Sequence, residues 1–128
     1  MTEVLDGVRV IEITEALAGP YCAMLLGDLG ADVIKVERPA TGDQSRGWGP
    51  PFVGDVSAYF LACNRNKRSL TLDYDRPEGS QALQKLIATA DIFLINQPSL
   101  ASLKTRHLDA PTLRGQNPKL IYCSITGY

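Results

Sequence analysis

The chain has 128 residues, 45% hydrophobic and 21% charged, with 13 Lys+Arg against 14 Asp+Glu and a net charge of −1. This is the composition of an ordinary soluble chain with enough length for one core, and its charge balance offers no general attraction to nucleic acid or to an anionic membrane. Any bound anion must therefore be held by local geometry. Cys22, Cys63 and Cys123 are widely separated, each in an apolar run, with no CxxC pair and a single histidine elsewhere. They read as reduced core residues, and no metal site is expected. The stretch from Met1 to Gly7 has acidic residues and no apolar signal core, and no apolar run reaches membrane-spanning length. A cytoplasmic protein without membrane contact is expected.

Short β-rich runs alternate with helical patterns along the chain. Val8 to Thr14 is the first expected strand. Gly19 to Gly30 follows as a helix, with Cys22, Met24, Leu25, Leu26 and Leu29 on a broad apolar face and Pro20 suited to a first turn. Asp32 to Val36 is the second strand. Arg38 to Asp55 is a dense mixture of Gly and Pro that predicts a long excursion without regular structure, and such loops in compact domains are usually functional or disordered. A short helix from Val56 to Asn64 returns the chain to Arg65-Asn66-Lys67-Arg68. Ser69 to Asp73 is the third strand, and Pro77 to Ala90 a helix with Leu83, Leu86, Ile87 and Ala90 at helical spacing. Asp91 to Asn96 is the fourth strand, and small helices near Ser99 to Arg106 and Ala110 to Gln116 precede a fifth, Leu120 to Thr126. No internal repeat interrupts this rhythm. The alternation predicts an α/β fold: a Rossmann-like parallel sheet of about five strands with helices on both faces, joined by right-handed crossovers. Residues 1–128 are read as one domain.

Ligand chemistry is expected in the loops outside the carboxyl ends of such strands. After the first strand, Thr14 to Pro20 is a run of small residues opening a helix, and its free N–H groups can receive a phosphate or an acyl carbonyl. There is no GxGxxG and no P-loop lysine, so the usual dinucleotide and ATP sites are unsupported. Arg38 stands after the second strand and Asn96 after the fourth, residue types suited to phosphate and to base edges. The alternative is an arginine that merely pairs with a neighbouring acid.

Several segments carry a resemblance that spacing does not supply. Leu5 to Val10 (LDGVRV), Ala18-Gly19-Pro20, Leu26 to Pro39 (LGDLGADVIKVERP), Gly42-Asp43, Arg46 to Gly49 (RGWG), Asn64 to Leu72 (NRNKRSLTL), Pro77-Glu78-Gly79, Ala90-Asp91 and Asn117 to Tyr128 (NPKLIYCSITGY) resemble, in order, the opening of the class III CoA-transferase (CaiB/BaiF) family. That family includes formyl-CoA and carnitine CoA-transferases and the related α-methylacyl-CoA racemases. The resemblance implies that Ala16, Leu17 and Ala18 line the CoA and acyl site, that Arg38 meets the nucleotide part of CoA, and that Leu72 and Asn96 help enclose it. CoA or acyl-CoA is then a substrate, with no permanently bound cofactor. Lys67 and Arg68 either add positive charge near phosphate or anchor the long loop, and Trp48 is either a lid or a loop anchor. His107, in a polar stretch without a partner pattern, reads as a surface residue.

Two departures limit what the resemblance carries. Where the family commonly reads Glu-Asn-Phe-Arg-Pro-Gly, this chain has Ile95-Asn96-Gln97-Pro98-Ser99-Leu100, and where some formyl-CoA transferases place a lysine it has Asp75 beside Arg76. The family's nucleophilic aspartate, like the racemases' acid/base histidine and aspartate, lies beyond the motif at Gly127-Tyr128, so no catalytic residue is expected among these residues. Full-length members form an interlocked dimer, which implies either a homodimer or association with a missing C-terminal portion, and apolar surface left exposed without it. Three readings follow: part of a CoA-transferase inactive alone, a non-catalytic module for CoA or another adenine nucleotide, and a structural half of a split enzyme. A racemase-like parent is a further alternative, although the Arg38 to Asp55 loop with RGWG resembles the transferases more closely.

Overall fold

The computed structural model describes residues 3–96 and 99–127. Met1, Thr2 and Tyr128 lie outside it, as do Gln97 and Pro98 from the segment that departs from the family pattern.

Five strands, β1 (Arg9–Ile13), β2 (Asp32–Glu37), β5 (Lys67–Thr71), β6 (Ile92–Ile95) and β7 (Ile121–Ser124), form one sheet in the order β5-β2-β1-β6-β7. Every pairing is parallel, with Ile11 of β1 opposite Ile34 on one side and Phe93 on the other. Parallel strands need crossovers, and helices supply several of them: α1 (Ala18–Asp28), α2 (Ala58–Cys63), α3 (Pro77–Ile87), α4 (Leu100–Thr105) and α5 (Ala110–Gln116). Side-chain alternation divides the core. Ile11, Ile13, Ile34, Val36, Phe93 and Ile95 pack against Leu83 and Ile87 of α3, Leu103 of α4 and Leu113 of α5. Val10, Val33 and Leu94 point the other way, onto Ala23, Cys22 and Leu26 of α1. Both faces are thus covered, which is why the central strands read as nearly continuous apolar runs.

The helix starts follow from local chemistry. Ser57, Ser99 and Asp109 accept hydrogen bonds from the N–H groups of Tyr59, Ser102 and Thr112, at 3.1, 3.1 and 3.2 Å. Pro77 opens α3, where its missing N–H removes no helical bond.

Three local expectations are corrected. The strand placed at residues 69–73 begins two residues earlier, because Lys67 to Thr71 pair with Val33 to Glu37 and the polar start of β5 conceals its membership of the sheet. The excursion from Arg38 to Asp55 is not devoid of regular structure. A 3-10 turn, Gln44–Gly47, is capped by Asp43, and β3 (Phe52–Val53) pairs antiparallel with β4 (Val56–Ser57) around Gly54, whose φ of 60° suits a tight reversal. The helix expected from Val56 starts only at Ala58, since Val56 and Ser57 belong to that hairpin. Among the described residues, no helix is long and apolar enough to cross a membrane.

Candidate functional site

The strand order reverses between β1 and β6, and the carboxyl ends of β1, β2, β5 and β6 share one edge of the sheet. Thr14 to Ala18, Arg38, Leu72 and Asn96 follow those four ends. Sequence reasoning therefore selected residues that the fold gathers on one side.

Side chains hold the first peptide groups of the turn after β1, from Thr14 to Ala16. Lys35 Nζ donates to the Thr14 carbonyl at 2.7 Å. Asn96 receives the Glu15 N–H at 3.0 Å and donates to the Glu15 carbonyl at 2.8 Å, so its amide spans the reversal point as a backbone clamp. Asp43 Oδ1 receives the Ala16 N–H at 3.2 Å. Ala16 has a φ of 67°, a left-handed conformation that a residue with a Cβ adopts only when its surroundings impose it. Leu17 and Ala18 follow with exposed side chains, and no side chain caps the start of α1. Close packing fixes this helix end, because a Cβ added at Gly19 would lie 2.4 Å from Thr14 Cβ.

Arg38 donates through Nε to the Tyr74 hydroxyl at 3.0 Å and lies over that ring, its guanidinium carbon 5.7 Å from the centroid. The hydrogen bond to Tyr74 raises the guanidinium pKa further. The Arg106 guanidinium approaches the same ring at 5.8 Å. Leu72 is half-buried, packs on the core beneath this edge and donates its N–H to the Glu37 carbonyl at 2.9 Å. Beside Tyr74 opens a cleft of about 460 Å³ that includes Arg76, Ser80, Ser102 and Arg106. Asp75, standing where a lysine was sought, accepts from Arg106 at 2.8 Å, and Arg76 pairs with Asp73 at 3.2 Å.

Beneath the edge lies a buried ionic network that sequence reasoning missed. Glu12 of β1 receives Lys67 of β5 at 2.7 Å and has Lys35 of β2 at 3.9 Å, while Thr14 Oγ1 donates to its other oxygen. Lys35 also pairs with Asp43 at 2.9 Å, and Arg46 grips Glu37 with two bonds, 3.0 and 2.7 Å. Burial pushes the Glu37 and Asp43 carboxyls up, but Arg46 and Ser69 on one, and Ser45 and Lys35 on the other, outweigh it and leave both below their ordinary values. Burial lowers the Lys67 pKa, with Glu12 opposing the shift. The available signal was a charge flanked on both sides by β-branched apolar residues, Glu12 in VRVIEIT and Lys35 in DVIKV.

The basic segment at Arg65 to Arg68 disperses in space. Lys67 is enclosed, bonded to the Pro20 carbonyl and Asn64 as well as Glu12. Arg68 pairs with Asp32, at the opposite end of the sheet from the candidate site, and Arg65 pairs with Asp28. The loop is anchored by Arg46, over Phe60 at 3.9 Å, and by Trp48, whose carbonyl accepts from Ser57 and whose half-exposed ring meets Tyr59 edge-on at 5.1 Å. His107 is exposed. The three cysteines are free, and burial raises the Cys22 thiol pKa.

Strand order and covered faces define a doubly wound parallel α/β domain, with Arg38 on the edge where the order reverses. Sequence comparison gives the lineage. Residues 5–128 match the family model of CoA-transferase family III, and the chain belongs to that family. It is 47% identical over 124 residues to the succinyl-CoA:glutarate CoA-transferase of Homo sapiens, covering 97% of this chain and 28% of that protein. With the formyl-CoA:oxalate CoA-transferase of Rhodopseudomonas palustris it shares 42% identity over 128 residues, all of this chain and 30% of the relative. A crystal structure of a CaiB/BaiF family protein from Brucella suis superimposes with a TM-score of 0.93 at 48% identity, covering 100% of this chain and 34% of that one. The chain thus spans about a third or less of the length of these proteins.

Proposed function

We propose that this chain is the N-terminal, CoA-binding part of an acyl-CoA:carboxylate CoA-transferase and that it catalyses no transfer by itself. The observation that carries the reading is the electrostatic state of Arg38. Among the described arginines at the candidate edge, Arg46 pairs with Glu37, Arg76 with Asp73 and Arg106 with Asp75, whereas Arg38 bonds to the Tyr74 hydroxyl. Among the described residues no carboxylate pairs with it, and its planar guanidinium suits both bidentate phosphate binding and stacking on a base. The printed names of the relatives point the same way. The human and Rhodopseudomonas palustris relatives differ in the acyl group and the acceptor and share the CoA thioester, so the common ligand is CoA.

Transfer through a covalent acyl intermediate needs an accessible nucleophile. The buried acids at this edge, Glu12, Glu37 and Asp43, are each committed to a cation, and none matches the family's aspartate. Leu17, Tyr21, Leu25 and Leu29, spaced by four from the N-cap of α1 to its C-cap, expose large apolar side chains, which supports association with a second copy or with further chain.

Calorimetric titration with CoA tests the binding reading. Arg38→Ala should weaken binding by about 10- to 150-fold, the loss of a charge-assisted contact. Equal affinities would remove Arg38 from the site, and a wild-type chain that binds no CoA would remove the function. Sustained acyl exchange by the purified chain would overturn the claim of inactivity.

A further inference from the structure

We infer that Asp43 is a positioning residue: it never meets the ligand, but with Lys35 it sets the backbone of the turn at Thr14 to Ala18 that faces it. This rests on the reading that the turn borders the CoA site.

The geometry is specific. The Asp43 side chain is fully buried and that of Lys35 is 2% exposed, so neither reaches a ligand at the strand ends. Asp43 Oδ2 faces Lys35 Nζ at 2.9 Å, while Oδ1 receives the Ser45 N–H, the Ser45 hydroxyl and the Ala16 N–H at 2.9, 2.7 and 3.2 Å. The Asp43 N–H in turn donates to Glu37 Oε1 at 3.0 Å. One ion pair therefore grips the turn at two points, Thr14 through the ammonium and Ala16 through the carboxylate. Between them Ala16 holds a φ of 67°. That conformation is disfavoured for alanine, so the turn needs the external bond to stay populated. Where it relaxes, the N–H groups of Leu17 and Ala18 change direction, and a ligand bound through them loses its donors. The loop from Arg38 to Asp55 thus acts on the site from below, by carrying Asp43 to Lys35.

The test separates positioning from bulk stability and from direct contact. On a Lys35→Met background, which leaves no buried cation facing position 43, Asp43→Asn keeps an acceptor for the Ala16 N–H and Asp43→Ala does not. Both double variants lose the Lys35 bond to Thr14, so they are compared with each other: amide exchange at Ala16 should be about tenfold or more faster with alanine than with asparagine. CoA affinity should be about tenfold weaker with alanine than with asparagine. Adding Ala16→Gly to the alanine variant should recover part of the lost affinity, because glycine adopts the left-handed conformation without being held. Equal exchange and equal affinity in the two double variants, or no recovery with glycine, would overturn the proposal. If the wild type binds no CoA, the functional reading fails and Ala16 exchange alone decides the positional one. If the double variants do not fold, Ser45→Ala decides. It removes one bond that orients Asp43 and should speed Ala16 exchange about threefold, an unchanged rate counting against the idea.

Discussion

Replacing Lys67 by methionine removes an ammonium that touches Glu12 Oε1 at 2.7 Å, the Pro20 carbonyl at 2.8 Å and Asn64 Oδ1 at 2.9 Å, from a side chain 3% exposed. The methionine fits the space but supplies none of the bonds. Glu12, fully buried, keeps only the more distant Lys35 at 3.9 Å as a charge partner. Breaking a buried pair from one side typically destabilises by about 3 to 5 kcal/mol, and the residual attraction to Lys35 places this case near 3 kcal/mol. For a domain of this size that lowers the melting temperature by roughly 10 °C. Urea unfolding followed by far-UV circular dichroism measures it. Glu12→Gln/Lys67→Met, which removes both charges, should be less destabilised than the single variant, with a coupling of about 2 kcal/mol in the double-mutant cycle. A single variant that loses less than about 1 kcal/mol, the range of exposed pairs, would refute the idea that this network is a structural element.

Two further outcomes follow from the same structure. A Cβ at Gly79 would sit 1.9 Å from the Asp73 carbonyl oxygen, so Gly79→Ala must push α3 away from the segment that carries Tyr74. It should destabilise by about 2 to 3 kcal/mol in thermal melts, while Gly47→Ala, with nothing within 4 Å of the new methyl, should stay within about 0.5 kcal/mol. The Glu37 and Asp43 carboxyls are both held below their ordinary 4.5 and 3.8, so their contribution is complete above about pH 4.5 and is lost as pH falls through the folded-state values. The urea midpoint should drop over that acid range and drop less in Glu37→Gln; parallel pH profiles would count against the assignment.

The fold was legible because a buried parallel strand leaves a plain signature, a short β-branched run such as DVIKV or DIFLI ending at Pro, Asn or Gly. The placing of the candidate residues was legible for a related reason: once the strands are set, their carboxyl ends bring Ala16, Arg38, Leu72 and Asn96 to one side. What escaped depends on contacts distant in sequence. Nothing local to Lys67 reveals that it lies under α1 rather than on the surface beside Arg68, because adjacent strand residues point to opposite faces and a strand's register is set by its partner. The same holds for Asn96, whose amide is occupied by Glu15 across the reversal point. Tyr74 was missed because an aromatic residue in a turn after a strand has no periodic signal, and its role comes from the two guanidiniums it meets.

The length of the Arg38 to Asp55 loop has a physical explanation in these contacts. Between β2 and β5 a plain helical crossover would bury apolar side chains, but the sheet offers charge there instead: Glu12, Lys35, Glu37 and Lys67 all lie on or beneath that surface. A loop can deliver Asp43 to Lys35 and Arg46 to Glu37 as side chains at chosen points, which a single helix face with its fixed spacing does less readily. The result is three carboxylates, Glu12, Glu37 and Asp43, matched by three cations, Lys35, Lys67 and Arg46. A balanced network exerts little net field at the sheet edge above it, so under the proposed function attraction for an anionic ligand there would fall to Arg38, which bonds to the Tyr74 hydroxyl. The same loop thereby meets the turn through Asp43 and the sheet through Arg46.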